Sequence, residues 1–130
     1  MARFEPPPLR VLLCEDDEVN AVVLVSVIQR LGHDAVWVDS GSEALKALDR
    51  DRFDLVLMDL MMPGMTGLET TKRIRRDRAD LPIVALTALD DPEALRAGQE
   101  AGMNGYIPKP VDSRDLERIL AETVAGPSSI

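Results

Sequence analysis

The stretch Phe53-Asp54-Leu55-Val56-Leu57-Met58-Asp59 decides how this chain is read. Leu55, Val56, Leu57 and Met58 follow one another with no polar residue between them. Side chains of a strand point alternately to its two faces, so such a run needs apolar cover on both. A strand of a parallel sheet lying between helices meets that condition, whereas a half-exposed antiparallel strand would alternate. Four further short runs, Leu9 to Cys14, Ala35 to Val38, Pro82 to Leu86 and Gly105 to Ile107, share the character of the run from Phe53 to Met58. A stretch of helical character follows each. Five strand-helix units in succession predict an α/β fold built on a five-stranded parallel sheet.

The helix boundaries carry their own signals. Ser40-Gly41-Ser42-Glu43 and Thr66-Gly67-Leu68-Glu69 each have the form of a capping box. Asp91 before Pro92 supplies an N-cap and a proline at the first helical position. Asp112 precedes the last helix, whose Leu116, Ile119, Leu120 and Thr123 share a face. Gly32 and Gly102 stand where helices stop. The first helix, about Glu18 to Leu31, competes with a strand reading because Val22, Val23, Leu24 and Val25 are consecutive. Its length, acidic start and Arg30-Leu31-Gly32 ending favour a helix. A helical wheel directs Val23, Leu24, Val27 and Leu31 to the sheet and Glu18, Val22, Val25 and Gln29 away from it.

The 130 residues amount to one domain. At this size roughly two-thirds of the unfolded chain's surface is buried on folding, and an apolar fraction of 45% fills such a core. Cys14 is the single cysteine, which excludes a disulfide framework and a cysteine zinc site. The formal charge of -8 has the wrong sign for general nucleic-acid binding, which uses Lys and Arg to displace counterions. No apolar run approaches the roughly 20 residues of a membrane span, and Met1 to Arg10 holds no stretch suited to a signal peptide. The expectation is a cytoplasmic domain over residues 9–124. A flexible tail at 1–8, ending in Pro6-Pro7-Pro8, precedes it, and a second tail at 125–130 follows.

In an open parallel sheet, ligands bind beyond the carboxyl ends of the strands. There the chain has Glu15-Asp16-Asp17-Glu18 after the first strand, Asp59 after the third, Thr87 after the fourth and Lys109-Pro110 after the fifth. Converging carboxylates repel and must take up protons or hold a cation. Oxygen ligands with no His or Cys nearby select Mg2+ over Zn2+. Glu15, Asp16 and Asp59 supply three negative charges, and Mg2+ with Lys109 supplies three positive. A site so balanced accepts a dianionic phosphoryl group. Asp59 would be the nucleophile, forming an acyl phosphate, while the metal and Lys109 stabilise charge on the transferring oxygens.

Taken together, these pieces resemble the receiver domain of two-component response regulators. The matching runs are V-L-L-C-E-D-D-E-V-N at 11–20, D-L-V-L-M-D-L-M-M-P-G-M-T-G at 54–67, I-V-A-L-T-A at 83–88 and A-G-M-N-G-Y-I-P-K-P at 101–110. They stand in the family's order and spacing, and the resemblance covers about Leu9 to Val124. It implies a flavodoxin-like three-layer fold with strand order 2-1-3-4-5. It implies that Asp16 ligates Mg2+ directly, Glu15 through water, and Met61 through its backbone carbonyl, with Asp59 as the phosphoacceptor. Thr87 would turn its hydroxyl to the phosphoryl group, and Lys109, before a cis bond to Pro110, would pair with it. Tyr106 would swing inward as Thr87 moves. The E-D-x-E-V-N pattern puts the acidic pair at Glu15 and Asp16, leaving Asp17 beside it.

The resemblance also implies partners. A histidine kinase or histidine phosphotransfer protein would donate the phosphoryl group, with Val22 and Val25 of the first helix in the docking patch. A downstream protein target and a phosphorylation-dependent dimer would read the result, with no direct nucleic-acid binding and no membrane insertion. The chain would catalyse its own phosphorylation and lose the group slowly, with no separate turnover substrate. E-D-D-E-V-N and A-G-M-N-G-Y suit a receiver of a hybrid kinase, whereas Met1 and the tail suit a stand-alone regulator.

Plainer readings stand beside these. Asp16 or Asp17 caps the first helix, Asp59 is a turn former, Thr87 bonds to backbone at a strand end, and Tyr106 is half-buried packing. Cys14 reads as an inert core residue, His33 as a turn residue with no ligand role, and Trp37 as packing. Met58 belongs in the core, with Met61, Met62 and Met65 flanking the loop after Asp59. Two other function classes use similar parts. An aspartate-nucleophile, Mg2+-dependent phosphohydrolase usually places a second Asp two residues after the nucleophile, where this chain has Met61. A flavodoxin-like redox module needs a phosphate-cradling Ser/Thr/Gly loop after the first strand, where this chain has acids. Rapid turnover on a phosphomonoester separates the hydrolase from a stoichiometrically labelled switch.

Overall fold

A computed structural model describes residues 7–88 and 92–126. Its elements run β1 (Arg10–Cys14), α1 (Glu18–Arg30), β2 (Asp34–Val38), α2 (Gly41–Arg50), β3 (Leu55–Asp59), α3 (Gly67–Asp77), β4 (Ile83–Thr87), α4 (Pro92–Ala101), β5 (Gly105–Pro108) and α5 (Ser113–Ala125). All strand pairs are parallel, in the order β2-β1-β3-β4-β5. This is the alternation read from the apolar runs and the order implied by the resemblance. β3 and β4 each reach one residue beyond the expected run, so Asp59 and Thr87 close their strands instead of following them. Backbone pairing, not side-chain polarity, sets that limit: Asp59 pairs with Leu86 and Thr87 with Pro108.

The period of two along each strand sorts its side chains onto two faces. Val11, Leu13, Leu55, Leu57 and Leu86 are buried beneath Leu24 and Ile28 of α1 and Leu116 and Leu120 of α5. Leu12, Val56, Met58 and Ile83 are buried on the other face, beneath Leu48 of α2 and Ile74 of α3. Each such side chain contributes about 1.5–3 kcal/mol by leaving water. Truncating one, such as Leu57 to alanine, costs about 2–5 kcal/mol. Every residue of β3 and β4 is buried, whereas in the edge strand β2 only Ala35 and Val38 are partly covered.

The buried stripe of α1 is Ala21, Leu24 and Ile28. This corrects the helical wheel. Val23 is 56% exposed and Leu31, the C-cap, is at the edge of exposure, so neither packs on the sheet. Val25, expected to face away, is partly buried against the core. The run of branched residues pulled the expected stripe toward Val23. Packing instead selects Ala21, whose small side chain lets the helix approach the sheet. Val22 is 59% exposed, as expected, and Val19 is still more exposed.

Among the described residues, side chains cap four helices. Asp17 accepts from the Val19 and Asn20 N–H groups at 2.9 and 3.3 Å. Ser40 and Thr66 accept from the N–H groups of Glu43 and Glu69, each at 3.2 Å, and Asp112 accepts from the Arg114 N–H at 2.8 Å. Pro92 opens α4; Asp91, its expected cap, lies outside the described residues, as do Pro6 and residues 127–130. Gly32, at φ 94°, takes the left-handed conformation that ends α1. The following His33 does more than turn the chain. Its Nδ1 accepts the Leu9 N–H at 2.9 Å, and the Asp34 N–H donates to the Leu9 carbonyl at 2.9 Å, tying the start of β1 to that of β2.

Candidate functional site

Sheet register brings the strand ends level. Cys14 pairs with Met58, Asp59 with Leu86, and Thr87 with Pro108. The residues at or just past those ends therefore meet: Glu15 and Asp16 after β1, Asp59 ending β3, Thr87 ending β4 and Lys109 after β5. Two bonds extend the ladder into this rim, from the Glu15 N–H to the Val38 carbonyl at 3.1 Å and from the Lys109 N–H to the Thr87 carbonyl at 2.8 Å. The Lys109-Pro110 peptide bond is cis.

Glu15, Asp59 and Thr87 are all buried, at 1%, 2% and 1% exposure. Lys109 Nζ lies 2.9 Å from Asp59 Oδ2 and 3.2 Å from Glu15 Oε2. Asp59 Oδ1 accepts the Met61 N–H at 2.9 Å, and Glu15 Oε1 accepts the Asp17 N–H at 3.2 Å. Burial, then the negative charge of Asp59, pushes the Glu15 carboxyl above its ordinary range. Burial acts to lower the Lys109 ammonium, but its hydrogen bond to Asp59 and the charges of Asp59 and Glu15 outweigh burial and hold it above its usual value. In the adjoining strand, burial pushes the Cys14 thiol far up, in keeping with an inert core residue.

Glu15, Asp16 and Asp59 each offer one oxygen within 4.8 Å of the others. With Lys109 counted, this cluster carries a net charge of -2. Glu15 Oε2 is buried without a hydrogen-bond partner, with Lys109 Nζ 3.2 Å away as an ion pair. An oxygen-only donor set, an excess of negative charge and an unsatisfied buried carboxylate oxygen fit a hard divalent cation. Asp17 is engaged as the α1 cap and stands apart from the cluster. The acids that meet are therefore Glu15 and Asp16, with Asp17 outside.

The other expected residues divide. Met61 is 67% exposed, with its N–H on Asp59. Tyr106 stands outside the acid cluster, half-exposed at a cavity of about 310 Å3 lined also by Leu60, Ala85, Leu95 and Met103. Val22 faces solvent on α1, and Val25 does not fully do so. Two contributors escaped the sequence reading. Gly67 opens α3 so close to β3 that a Cβ there would collide with the Asp59 carbonyl oxygen and sit 3.0 Å from Leu60 Cα. Trp37, expected only to pack, donates from Nε1 to the Glu15 carbonyl at 2.7 Å. Gly67 stands in the matching run at 54–67, but its role beside Asp59 was not read from it, whereas the Trp37 bond spans 22 positions and no local pattern announces it.

The model of the response regulator receiver domain family matches residues 11–121 of the chain. Over 124 residues the chain is 37% identical to the sensor protein GacS of Pseudomonas syringae pv. syringae, covering 88% of this chain and 14% of GacS. Over 106 residues it is 41% identical to the transcriptional regulatory protein AfsQ1 of Streptomyces coelicolor, covering 82% of this chain and 47% of that protein. The chain thus spans less than half the length of these two relatives. Among solved structures, the receiver domain of sensor histidine kinase PA1611 from Pseudomonas aeruginosa carries a magnesium ion in its active site cleft. It aligns at a TM-score of 0.85 with 33% identity, over 92% of this chain and 99% of that one. Chemotaxis protein CheY4 of Vibrio cholerae aligns at 0.85 with 29% identity, over 89% and 98%.

Proposed function

The chain belongs to the response regulator receiver domain family, and we propose that it serves there as the phosphoacceptor switch of a two-component system or phosphorelay, with Asp59 as acceptor. One observation carries this reading. Asp59 is buried at the end of the central strand, with one carboxylate oxygen on Lys109 Nζ and the other on the Met61 N–H, each at 2.9 Å. Both oxygens are thus oriented, one by an ammonium and one by a main-chain donor.

Glu15, Asp16 and Asp59, with the Met61 carbonyl, are the groups that would hold Mg2+, which when bound offsets their repulsion and the charge of an incoming phosphoryl dianion. The chain's own side chains do the rest. A lone pair on an Asp59 oxygen attacks the phosphorus of a phosphohistidine. The P–N bond breaks, its electrons return to the imidazole, and an acyl phosphate forms. Lys109 turns its ammonium from Asp59 and Glu15 to the phosphoryl oxygens. Thr87 turns its hydroxyl to the same group, and Tyr106 follows from its half-exposed position toward the adjoining cavity. The two arrangements form a switch whose balance phosphorylation biases.

The donor is a histidine kinase or histidine phosphotransfer protein. Its docking patch on α1 is Val22 together with Val19 and Val23, all exposed, with Val25 contributing less because it is partly buried. A downstream protein target or a phosphorylation-dependent dimer reads the switched surface. No separate substrate is turned over, and the domain works in the cytoplasm without contacting nucleic acid. Among the described residues no helix is long and apolar enough to cross a membrane. The aspartate-nucleophile phosphohydrolase gains no support from the family match, and Met61 offers neither acid nor base where that reading needs one.

Phosphorylation by acetyl phosphate and Mg2+, followed by mass spectrometry, tests the assignment. Wild-type protein should gain one phosphoryl group, and Asp59→Asn should gain none. Labelling of the variant at the wild-type level would refute Asp59 as acceptor. Rapid multiple turnover on a phosphomonoester would instead restore the hydrolase.

A further inference from the structure

We propose that Trp37 is a positioning residue for the cation-binding acids, its indole N–H fixing the peptide that joins Glu15 to Asp16. Trp37 is the penultimate residue of β2 and pairs with Leu13 of β1. Leu13 and Ala35 belong to the α1 side of the sheet, and Trp37, two residues beyond Ala35, shares that face. There it lines a groove with Ala21, Val22 and Val25 along the outer edge of α1. From this position Nε1 donates to the Glu15 carbonyl at 2.7 Å, while the Glu15 N–H donates to the Val38 carbonyl at 3.1 Å. The edge strand therefore holds Glu15 from both sides, by main chain at its nitrogen and by an indole at its carbonyl.

The carbonyl so held lies in the rigid amide plane between Glu15 and Asp16. Restraining that plane restricts ψ of Glu15 and φ of Asp16 together. Those two angles aim the carboxylates that converge with Asp59. Four acids in succession, Glu15 to Glu18, repel one another and favour a splayed loop. A neutral donor on their backbone opposes the splaying without filling the charge deficit that draws a cation. Indole N–H is donor only, so its bond to the carbonyl cannot reverse.

This inference rests on reading Glu15, Asp16 and Asp59 as a Mg2+ site. Trp37→Phe keeps an aromatic ring beside α1 and removes the donor. Mg2+ dissociation constants for wild type and variant are measured by titration calorimetry, with thermal midpoints in EDTA alongside. Trp37 is the single tryptophan, so the indole N–H resonance of the 15N-labelled wild type is followed through the same titration. The variant should bind Mg2+ about fivefold more weakly, equivalent to about 1 kcal/mol, and the indole resonance should shift as the site fills. A purely structural tryptophan would lower the midpoint and leave the constant unchanged. That result, or an indole resonance unmoved at saturation, overturns the role of Trp37, and the resonance decides alone if the variant does not fold. Failure of the wild type itself to bind Mg2+ overturns the cation reading and the inference with it.

Discussion

Replacing Glu15 by glutamine keeps the shape of a buried side chain and removes its charge, and the metal-free protein should become more stable. Glu15 offers an oxygen within 4.8 Å of oxygens of Asp16 and Asp59. Two unit charges at that separation repel by about 3.5 kcal/mol at an effective dielectric of about 20. Asp16 is exposed, so its share is screened well below that figure. Lys109, 3.2 Å away, attracts by about 5 kcal/mol on the same scale. These contributions nearly cancel. What remains is the penalty of burying a carboxylate, several kcal/mol per ion, against about 1–3 kcal/mol for the amide that replaces it. Lys109 keeps its bond to Asp59, so the expected gain at neutral pH is about 1–2 kcal/mol.

The sign follows the pH dependence. Folding raises the Glu15 carboxyl, through burial first and the Asp59 charge second. Between its ordinary value and its folded value the native state therefore binds more protons, and stability falls as pH rises through that window. The penalty is absent below the ordinary value and complete above the folded one. Glu15→Gln removes this slope. Lys109 acts at the alkaline end, where its raised folded value gives stability at neutral pH that is lost as pH rises through it. In saturating Mg2+ the advantage of the variant should shrink or invert, because the wild type binds the ion more tightly. Urea unfolding followed by far-ultraviolet circular dichroism, in EDTA and in Mg2+ from acid to neutral pH, reads all of this. A variant less stable than wild type in EDTA at neutral pH, or one keeping the acid-side slope, would refute the reasoning.

Three further outcomes are expected. Gly67→Ala sets a methyl against backbone atoms of Asp59 and Leu60 that have no flexible end to yield; it should cost about 1–3 kcal/mol in unfolding and slow labelling by acetyl phosphate. Asp17→Ala removes the α1 cap and should cost about 1 kcal/mol with little change in Mg2+ affinity, whereas Asp16→Asn should weaken Mg2+ strongly; equal losses in a calorimetric titration would mean that the acid pair is misassigned. A Val19→Asp, Val22→Asp double variant should still be labelled by acetyl phosphate but lose transfer from the cognate phosphodonor protein, and unchanged transfer would leave these valines as ordinary surface.

Much of this protein is local and so was legible in its sequence. Ser40, Thr66, Asp112 and the runs around Leu55 and Ile83 act on neighbours a few residues away, and their spacing carries the information. The converging set of Glu15, Asp16, Asp59, Thr87 and Lys109 was also readable, because a parallel sheet with short connections puts all its carboxyl ends on one rim. The tertiary structure decided what depends on distance through space. It assigned the α1 cap, which the sequence left open between Asp16 and Asp17, to Asp17. It turned α1 onto Ala21 and exposed Val23, because closeness of approach outweighed side-chain size. It brought Gly67 against Asp59, and it joined Trp37 to the Glu15 carbonyl across 22 positions of sequence. A hydrogen bond or a steric collision is felt over a few ångströms, and only the folded sheet brings residues so far apart in the chain within that range.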